Sequence, residues 1–324
     1  MQTKTIAFFI TIIFALVTGC HKEKDNKSPD VYVAGIGTDQ TGKFVAAYWK
    51  NGEQVNLPGG SYDVSVEAID VSGEDVYVAG SENRGSSNGE WDAKYWKNGT
   101  PVILTGSFVR AYANAIVVKG NDVYVAGYVG GLMADIAVYW KNGVMVAVTD
   151  GTKNARGLSI FVDDTDIYVA GQEDGNAKYW KNGVAVTLSN NALAEAILVK
   201  GSDVYVAGYV IGSMHRVATY WKNGSAIYLA DTTHTSYAKS IAVSGSDVYV
   251  AGREVSGGFF IAKYWKNGVG VTLSNASSSA KSIAVYENDV YVAGTRIDGK
   301  YWKNGTEVDI PDAIDATTIK IVGP

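Results

Sequence analysis

Six arginines and a set of aromatic residues are the side chains in this sequence whose chemistry suits ligand binding. A guanidinium presents a planar fork that matches a carboxylate, and aromatic faces pack against sugars, apolar groups and cations. All six arginines lie outside a pentapeptide, Tyr-Trp-Lys-Asn-Gly, that the chain spells seven times. We therefore assign candidate ligand-binding roles to Trp91, Arg84, Arg110, Tyr112, Arg156, Arg216, Arg253, Phe259 and Arg296.

Aromatic residues also occur outside the pentapeptide. Seven of the eight tryptophans belong to it, and the eighth, Trp91, follows a Gly- and Ser-rich stretch where little core is expected. We predict that Trp91 is exposed and able to anchor a ligand. Part of this segregation is automatic, because residues outside a repeated motif must fall in connections. The further aromatic residues of this kind are Phe44, Tyr62, Phe108, Tyr128, Tyr209, Tyr237 and Phe260.

Catalytic and metal-binding signals are weak. His215, His234 and Asp231 would bind zinc if they converged, but two isolated histidines are more often ordinary loop residues, and we expect neither a metal nor a cofactor. The sequence has no calcium loop, HExxH, G-x-S-x-G or Walker motif. A glycosidase needs two facing carboxylates, and no spacing singles out a pair among Asp63, Glu90, Asp92, Asp135, Asp174 and Asp231. We assign no catalytic residue.

The pentapeptide defines a repeat. It begins at residues 48, 95, 139, 179, 220, 264 and 301, at intervals of 37 to 47 residues, which indicates a repeat architecture. In the fifth unit, β-branched and aromatic runs predict strands over 196–199, 203–208, 218–222 and 226–229. Asn223-Gly224 predicts a type I′ turn between the last two strands, because both residues tolerate positive φ.

Four antiparallel strands per unit predict an all-β fold, a closed seven-bladed β-propeller. The first blade lacks its first strand, since the body begins at Asp30 with a second-strand motif. Residues 316–323 align with the first strand over 238–245, so we predict that the C-terminal strand completes blade one. An open β-solenoid is the alternative, and it would leave unpaired edges. Both aromatic residues of each Tyr-Trp pair are predicted to be buried.

Strand alternation divides the connections between two faces of the propeller. The Asn-Gly turns and the turns before Asp-Val-Tyr should lie on one face and the longer, variable connections on the other. Binding residues concentrate on loops held by a rigid scaffold, so the variable face is the candidate. The aspartate that opens each second strand is predicted to cap its turn by hydrogen-bonding its own backbone.

Residues 1–19 have the features of an export signal: Lys4, a largely apolar run over 6–17, and Gly19 before Cys20, the only cysteine. The segment resembles a bacterial lipoprotein signal. The resemblance implies cleavage before Cys20 and membrane anchoring by lipid on its sulfur; an uncleaved anchor is the alternative. Residues 20–29 would be a charged tether and 30–324 a single propeller domain. Because residue 21 is not Asp, the resemblance favours the outer membrane.

The motif Asp-Val-Tyr-Val-Ala-Gly, or its Ile variant, begins at 30, 75, 122, 166, 203, 247 and 289. It resembles short bacterial propeller repeats, and the tandem Tyr-Trp-Lys-Asn-Gly units over 30–323 resemble uncharacterised bacterial lipoproteins. The resemblance implies an envelope protein. It indicates little about activity, because β-propellers have many different functions.

The net charge is −5, from 28 basic and 33 acidic residues. A mildly acidic body argues against nucleic acid as a partner. We expect a monomer whose partners are the membrane, through Cys20, and a glycan, peptide or protein ligand. The leading hypothesis is a surface-anchored binding module. The alternatives are a polysaccharide hydrolase or lyase on the same face and a periplasm-facing scaffold in envelope assembly.

Overall fold

The computed structural model describes residues 28–59, 63–85, 89–106 and 110–324, and these form seven four-stranded antiparallel sheets arranged as the blades of a β-propeller. The predicted signal peptide and Cys20 lie outside the described residues. Within the described ranges, no helix is long and apolar enough to cross a bilayer.

Blades two to seven each contain four consecutive strands, and blade one combines the first three strands with the last. Blade one contains β1 (Asp30–Thr38), β2 (Phe44–Lys50), β3 (Glu53–Asn56) and β28 (Ala313–Val322). Blades two and three contain β4 (Val64–Ser72), β5 (Asp75–Asn83), β6 (Trp91–Lys97), β7 (Thr100–Ile103), β8 (Ala111–Lys119), β9 (Asp122–Gly130), β10 (Asp135–Lys141) and β11 (Val144–Ala147). Blades four and five contain β12 (Ala155–Val162), β13 (Ile167–Glu173), β14 (Asn176–Lys181), β15 (Val184–Ser189), β16 (Ala192–Lys200), β17 (Asp203–Ile211), β18 (Arg216–Lys222) and β19 (Ser225–Tyr228). Blades six and seven contain β20 (Ser236–Ser244), β21 (Asp247–Ser256), β22 (Phe259–Lys266), β23 (Val269–Thr272), β24 (Ser279–Tyr286), β25 (Asp289–Thr295), β26 (Gly299–Lys303) and β27 (Thr306–Asp309).

The ring closes through the C-terminal strand, as predicted. β28 pairs antiparallel with β1, from Asp30 opposite Val322 to Gly37 opposite Ala313. Ala316 lies opposite Gly35 just as Ala238 lies opposite Gly252 in blade six, which confirms the alignment read from the sequence. In blade five all four predicted strands exist, although the first, β16, begins four residues earlier than predicted.

Each Tyr-Trp-Lys-Asn-Gly motif ends in a type I′ turn, with φ of 48–52° at the asparagines and 81–88° at the glycines. The prediction for the second-strand aspartates was wrong, since their carboxylates bond to the neighbouring turn rather than to their own backbone. In blade three, Asp122 accepts hydrogen bonds from Asn142 Nδ2 at 2.7 Å and from Lys141 Nζ at 2.8 Å. The same contacts recur in every blade, and they explain why Asp, Lys and Asn repeat together.

The core lies between neighbouring blades. The seven pentapeptide tryptophans are at most 2% exposed, as predicted. The adjoining tyrosines are only half-buried, so that half of the prediction was wrong. The buried tyrosines are instead those of the Asp-Val-Tyr motifs on the second strands, at 1–6% exposed.

A β-bulge interrupts the first strand of every blade, at the point where it faces the glycine of Val-Ala-Gly. A Cβ on that glycine would lie 1.8–2.0 Å from a carbonyl oxygen of the first strand, which explains why the motif always ends in glycine. The bulged residues of the seven innermost strands are Glu67, Asn114, Leu158, Glu195, Lys239, Lys281 and Thr317.

Candidate functional site

The connections divide into the two faces that the sequence predicts, because every pairing within a blade is antiparallel. We call the face with the first-to-second and third-to-fourth turns the turn face. The opposite face, called the loop face, carries the second-to-third and fourth-to-first connections. Residues 60–62, 86–88 and 107–109, which include Tyr62 and Phe108, belong to such connections but lie outside the described residues.

Four of the predicted binding residues come together on the loop face of blades two to four. Trp91 stacks on Tyr112 with ring centroids 5.6 Å apart, and Tyr112 stacks on Tyr128 at 4.8 Å. The Arg156 guanidinium lies 4.7 Å from the centre of the Tyr128 ring. Burial raises the pKa of both tyrosines, so their hydroxyls stay protonated. With Arg110 and Asp135 these residues form what we call the Asp135 cluster.

The charges of the Asp135 cluster are balanced internally. Arg110 Nη2 donates to Asp135 Oδ1 at 2.6 Å, while Arg156 approaches Asp135 Oδ2 through Nε at 3.0 Å and Nη2 at 2.9 Å. The carboxylate is 5% exposed. Two charge-assisted hydrogen-bond systems on one buried carboxylate make a rigid structural unit.

A second group of arginines and rings lies on the loop face of blades five and six. Tyr209 and Tyr237 make an edge-to-face contact at 4.9 Å, and Tyr237 makes another with Phe260 at 5.8 Å. The Arg253 guanidinium lies 4.1 Å from the Phe260 ring centre and 5.0 Å from that of Tyr237. Arg216 lies 5.8 Å from the Tyr237 ring centre. We call these five residues the Arg253 cluster.

The Arg253 cluster lacks an internal anion. Among the described residues, no carboxylate oxygen lies within the 4.0 Å ion-pair distance of Arg253 or Arg216. Arg253 Nη1 donates to Ser279 Oγ at a long 3.5 Å, and Arg253 Nε is buried without an acceptor. Nearly all buried polar groups in proteins have a partner, so this guanidinium is unusual.

The two clusters use equivalent positions of the repeat. Asp135 is the fourth residue before the tyrosine of its pentapeptide, and the residues at that position in blades five and six are Arg216 and Phe260. Similarly, Tyr128 and Arg253 both follow the glycine of Val-Ala-Gly. The position that supplies the carboxylate in blade three therefore supplies a cation or a ring in the Arg253 cluster.

A cavity of about 530 Å³ lies at the axis of the propeller and was not predicted. Its lining includes all seven of the bulged side chains named above together with Ser65, Arg253 and Asp315. Two ion pairs cross it, Lys239 with Glu195 and Lys281 with Asp315, each at 2.5 Å. The lining comes mainly from the first halves of the inner strands, which places the cavity near the loop face.

Glu67 is the acid of this cavity that lacks a cation within ion-pair distance in the described part of the chain. Its side chain stands in the channel, where water reaches it but the inner strands enclose it, and this burial raises the pKa of its carboxyl. The sequence contains a signal for the bulged residues that line this cavity. In several blades a polar residue lies between two small ones, as in Ala113-Asn114-Ala115 and Ala194-Glu195-Ala196.

The remaining candidates have different surroundings. Trp91 is half-buried at the start of β6, so the prediction of an exposed ring was wrong. Arg84 binds Asp92 at 2.6 Å and Arg296 binds Glu307 at 3.3 Å, which leaves both with internal anions. Phe259 is 62% exposed.

The histidines do not converge on a metal site in the described residues. His215 Nδ1 lies 3.3 Å from Thr235 Oγ1, and His234 Nδ1 lies 4.0 Å from Asp231. Across the described ranges no group of three His, Cys, Asp or Glu side chains is placed to hold a metal ion.

The comparisons with known proteins address the fold. No protein-family model matches the chain. No curated protein is similar to it in sequence. In structure it is similar to the WD40 β-propeller domain of Doa1, with a TM-score of 0.51 and 15% sequence identity over 81% of this chain and 87% of that domain. Similarity at this level establishes a β-propeller and leaves the ligand open.

Proposed function

We propose that this chain is a lipid-anchored binding module of the cell envelope, held to the outer membrane through Cys20 and binding a peptide, protein or glycan with its loop face. A propeller of seven blades is a rigid scaffold on which loop residues are held in fixed positions. The anchor rests on the sequence of residues 1–20 and the binding face on the structure.

The contrast between the two faces carries the binding proposal. On the turn face, the repeated Lys, Asp and Asn side chains satisfy one another in all seven blades. On the loop face, the Arg253 cluster has arginines without internal anions. The strand ends and the connection next to its residues carry exposed apolar side chains: Phe259, Met214 and Ile211 are 62%, 84% and 42% exposed. Apolar anchors beside unpaired cations are typical of interface hot spots.

Binding is tested with the full chain in detergent on two arrays, one of glycans and one of short peptides. Phe259→Ala should weaken the strongest interactions by about tenfold or more, as truncation of an interface anchor does. Lys141→Ala on the turn face is the control and should leave binding unchanged. Loss of binding in Lys141→Ala with none in Phe259→Ala would place the ligand on the wrong face.

The anchor is tested separately with Cys20→Ala. We expect this variant to remain unlipidated and unprocessed before residue 20. If it is cleaved there and still partitions with membranes, the anchor is not lipid on Cys20.

A polysaccharide hydrolase is the second candidate, favoured by the carboxylates of the axial cavity. Burial raises the pKa of Glu67, while Asp315 is bonded to Lys281. Two carboxyl groups in one cavity, one of them with its pKa raised by burial, are the kind of pair that glycoside hydrolysis uses. Release of reducing sugar from polysaccharides, abolished by Glu67→Gln, would support this activity; absence of release from the unaltered chain would remove it.

A further inference from the structure

The Asp135 cluster shows what an arginine and ring cluster of this scaffold binds. There, one carboxylate bridges two guanidiniums, one of which stacks on a tyrosine. In the Arg253 cluster a guanidinium is likewise held over rings, at 4.1 Å from Phe260 and 5.0 Å from Tyr237. Only the carboxylate has no counterpart among the described residues.

Arg253 is positioned rather than merely exposed. Its contacts with the two rings fix the plane of the guanidinium, and it lines the axial cavity beside Ser279. Because Nε is buried, a ligand would reach the guanidinium through its Nη atoms, of which Nη1 has only the long contact to Ser279. A carboxylate there would accept charge-assisted hydrogen bonds from a guanidinium that has no internal anion.

The surroundings of the cluster favour a peptide over a sugar. Ile211 ends β17 opposite Arg216, Met214 lies in the connection that follows, and Phe259 begins β22 next to Phe260. All three apolar side chains are exposed. Exposed aliphatic, thioether and aromatic groups match apolar side chains of a peptide, since a glycan would need more hydrogen-bonding groups there.

We propose that the Arg253 cluster binds a peptide segment in which a carboxylate is followed or preceded by an apolar side chain. The carboxylate accepts hydrogen bonds from Arg253, as Asp135 does from Arg156. The apolar side chain packs against Phe259 and Met214, and Arg216 adds a second positive charge at the rim. This inference rests on the proposed function, because it requires the loop face to bind a ligand.

The test uses the full chain in detergent and an array of short peptides in matched pairs, each differing only by Asp against Asn or Glu against Gln. The acidic member should bind about tenfold more tightly when an apolar residue is adjacent. Arg253→Gln should abolish that difference, and Arg253→Lys should retain part of it, because lysine keeps the charge without the fork. Lys141→Gln on the turn face should preserve the difference in full.

Three results would overturn the inference, and they differ in what they say of the proposed function. Equal binding of acidic and amide peptides, still weakened by Phe259→Ala, removes the carboxylate site and leaves the binding face. Binding of uronate oligosaccharides through Arg253, with no peptide bound, replaces the peptide by an acidic glycan. No binding to either array removes both proposals. Thermal melting of each variant confirms that it is folded.

Discussion

The Asp135 cluster and the Arg253 cluster occupy equivalent positions of the same repeat. We call the first closed, because a carboxylate within the cluster neutralises its arginines, and the second open, because its arginines have no such carboxylate. In the first, Asp135 accepts from two arginines and is almost fully buried. In the second, Arg216 and Phe260 stand at the equivalent positions, and Arg253 Nε has no acceptor among the described residues. The repeat is the same, so the side chains at a few equivalent positions decide between a structural unit and a ligand site.

This difference also explains why arginine positions alone identify a site poorly. All six arginines lie outside the pentapeptide, but Arg84, Arg110, Arg156 and Arg296 have carboxylate partners within the chain. A cation already bound to an acid has little to gain from a second one, since the first interaction must be broken. Two arginines remain as candidates for an anionic ligand.

Opening the ring should disrupt both clusters at once and give the largest effect. Deletion of residues 316–324 removes most of β28 and leaves the inner edge of β1 unpaired. We expect loss of the single cooperative thermal transition, or aggregation, measured by circular dichroism and light scattering. Deletion of residues 323–324 alone, which follow β28, should preserve the transition. An unchanged midpoint in the longer deletion would refute closure by this strand.

A methyl group beneath either cluster should have the next largest effect. A Cβ at Gly127 would lie 1.8 Å from Tyr112 O, and one at Gly252 would lie 1.9 Å from Tyr237 O. Either Gly→Ala change should lower the free energy of unfolding by about 3 kcal/mol or more, because backbone must move. Gly130→Ala is the control, since its nearest neighbour would be at 3.5 Å. Equal denaturation midpoints for Gly127→Ala and Gly130→Ala would contradict the close approach at the bulge.

Removing charge at equivalent positions should distinguish the closed cluster from the open one. Asp135→Asn should lower the free energy of unfolding by about 1–3 kcal/mol, because two arginines lose their shared acceptor. Arg216→Gln should change it by no more than about 0.5 kcal/mol, as for a surface residue without an ionic partner. Urea titrations measure both. Similar losses in the two variants would mean that the clusters do not differ in internal charge balance.

The turn face provides the smallest expected effect. Lys141 is exposed and paired with Asp122, and such surface ion pairs contribute much less to stability than the loss expected for Asp135→Asn. Lys141→Ala should therefore change stability by less than that and should leave both clusters intact. A larger loss would show that the repeated Lys and Asp contacts are cooperative around the ring.

The fold was predictable from the sequence because each local signal agreed with the others. The Asn-Gly turns, the strand patterns and the match of residues 316–323 to 238–245 all pointed to seven closed blades, and β28 pairs with β1 as expected. The bounds of β16 were less predictable, since Ala192-Leu193-Ala194-Glu195 carries no strong strand pattern.

The site was predictable only in part. The sequence placed Arg110, Tyr112, Arg156 and Arg253 on one face, but it did not show that Asp135 neutralises Arg110 and Arg156. Ion pairing depends on which strands are neighbours and on side-chain direction, neither of which spacing reveals. The side chains that line the axial cavity were not predicted. A bulge turns one residue of each inner strand into the cavity, which breaks the alternation of side chains between the two sides of a strand.

The most direct test of the difference between the clusters is to place a carboxylate in the open one. Phe260→Asp sets an acid at the position equivalent to Asp135, where the ring now lies 4.1 Å from Arg253. Phe260→Asn has nearly the same shape without the charge and controls for the lost ring. The affinity for an acidic, apolar peptide, measured by isothermal titration calorimetry, should be lower in Phe260→Asp than in Phe260→Asn by about tenfold. Equal affinities in the two variants would contradict the claim that Arg253 binds the carboxylate of a ligand.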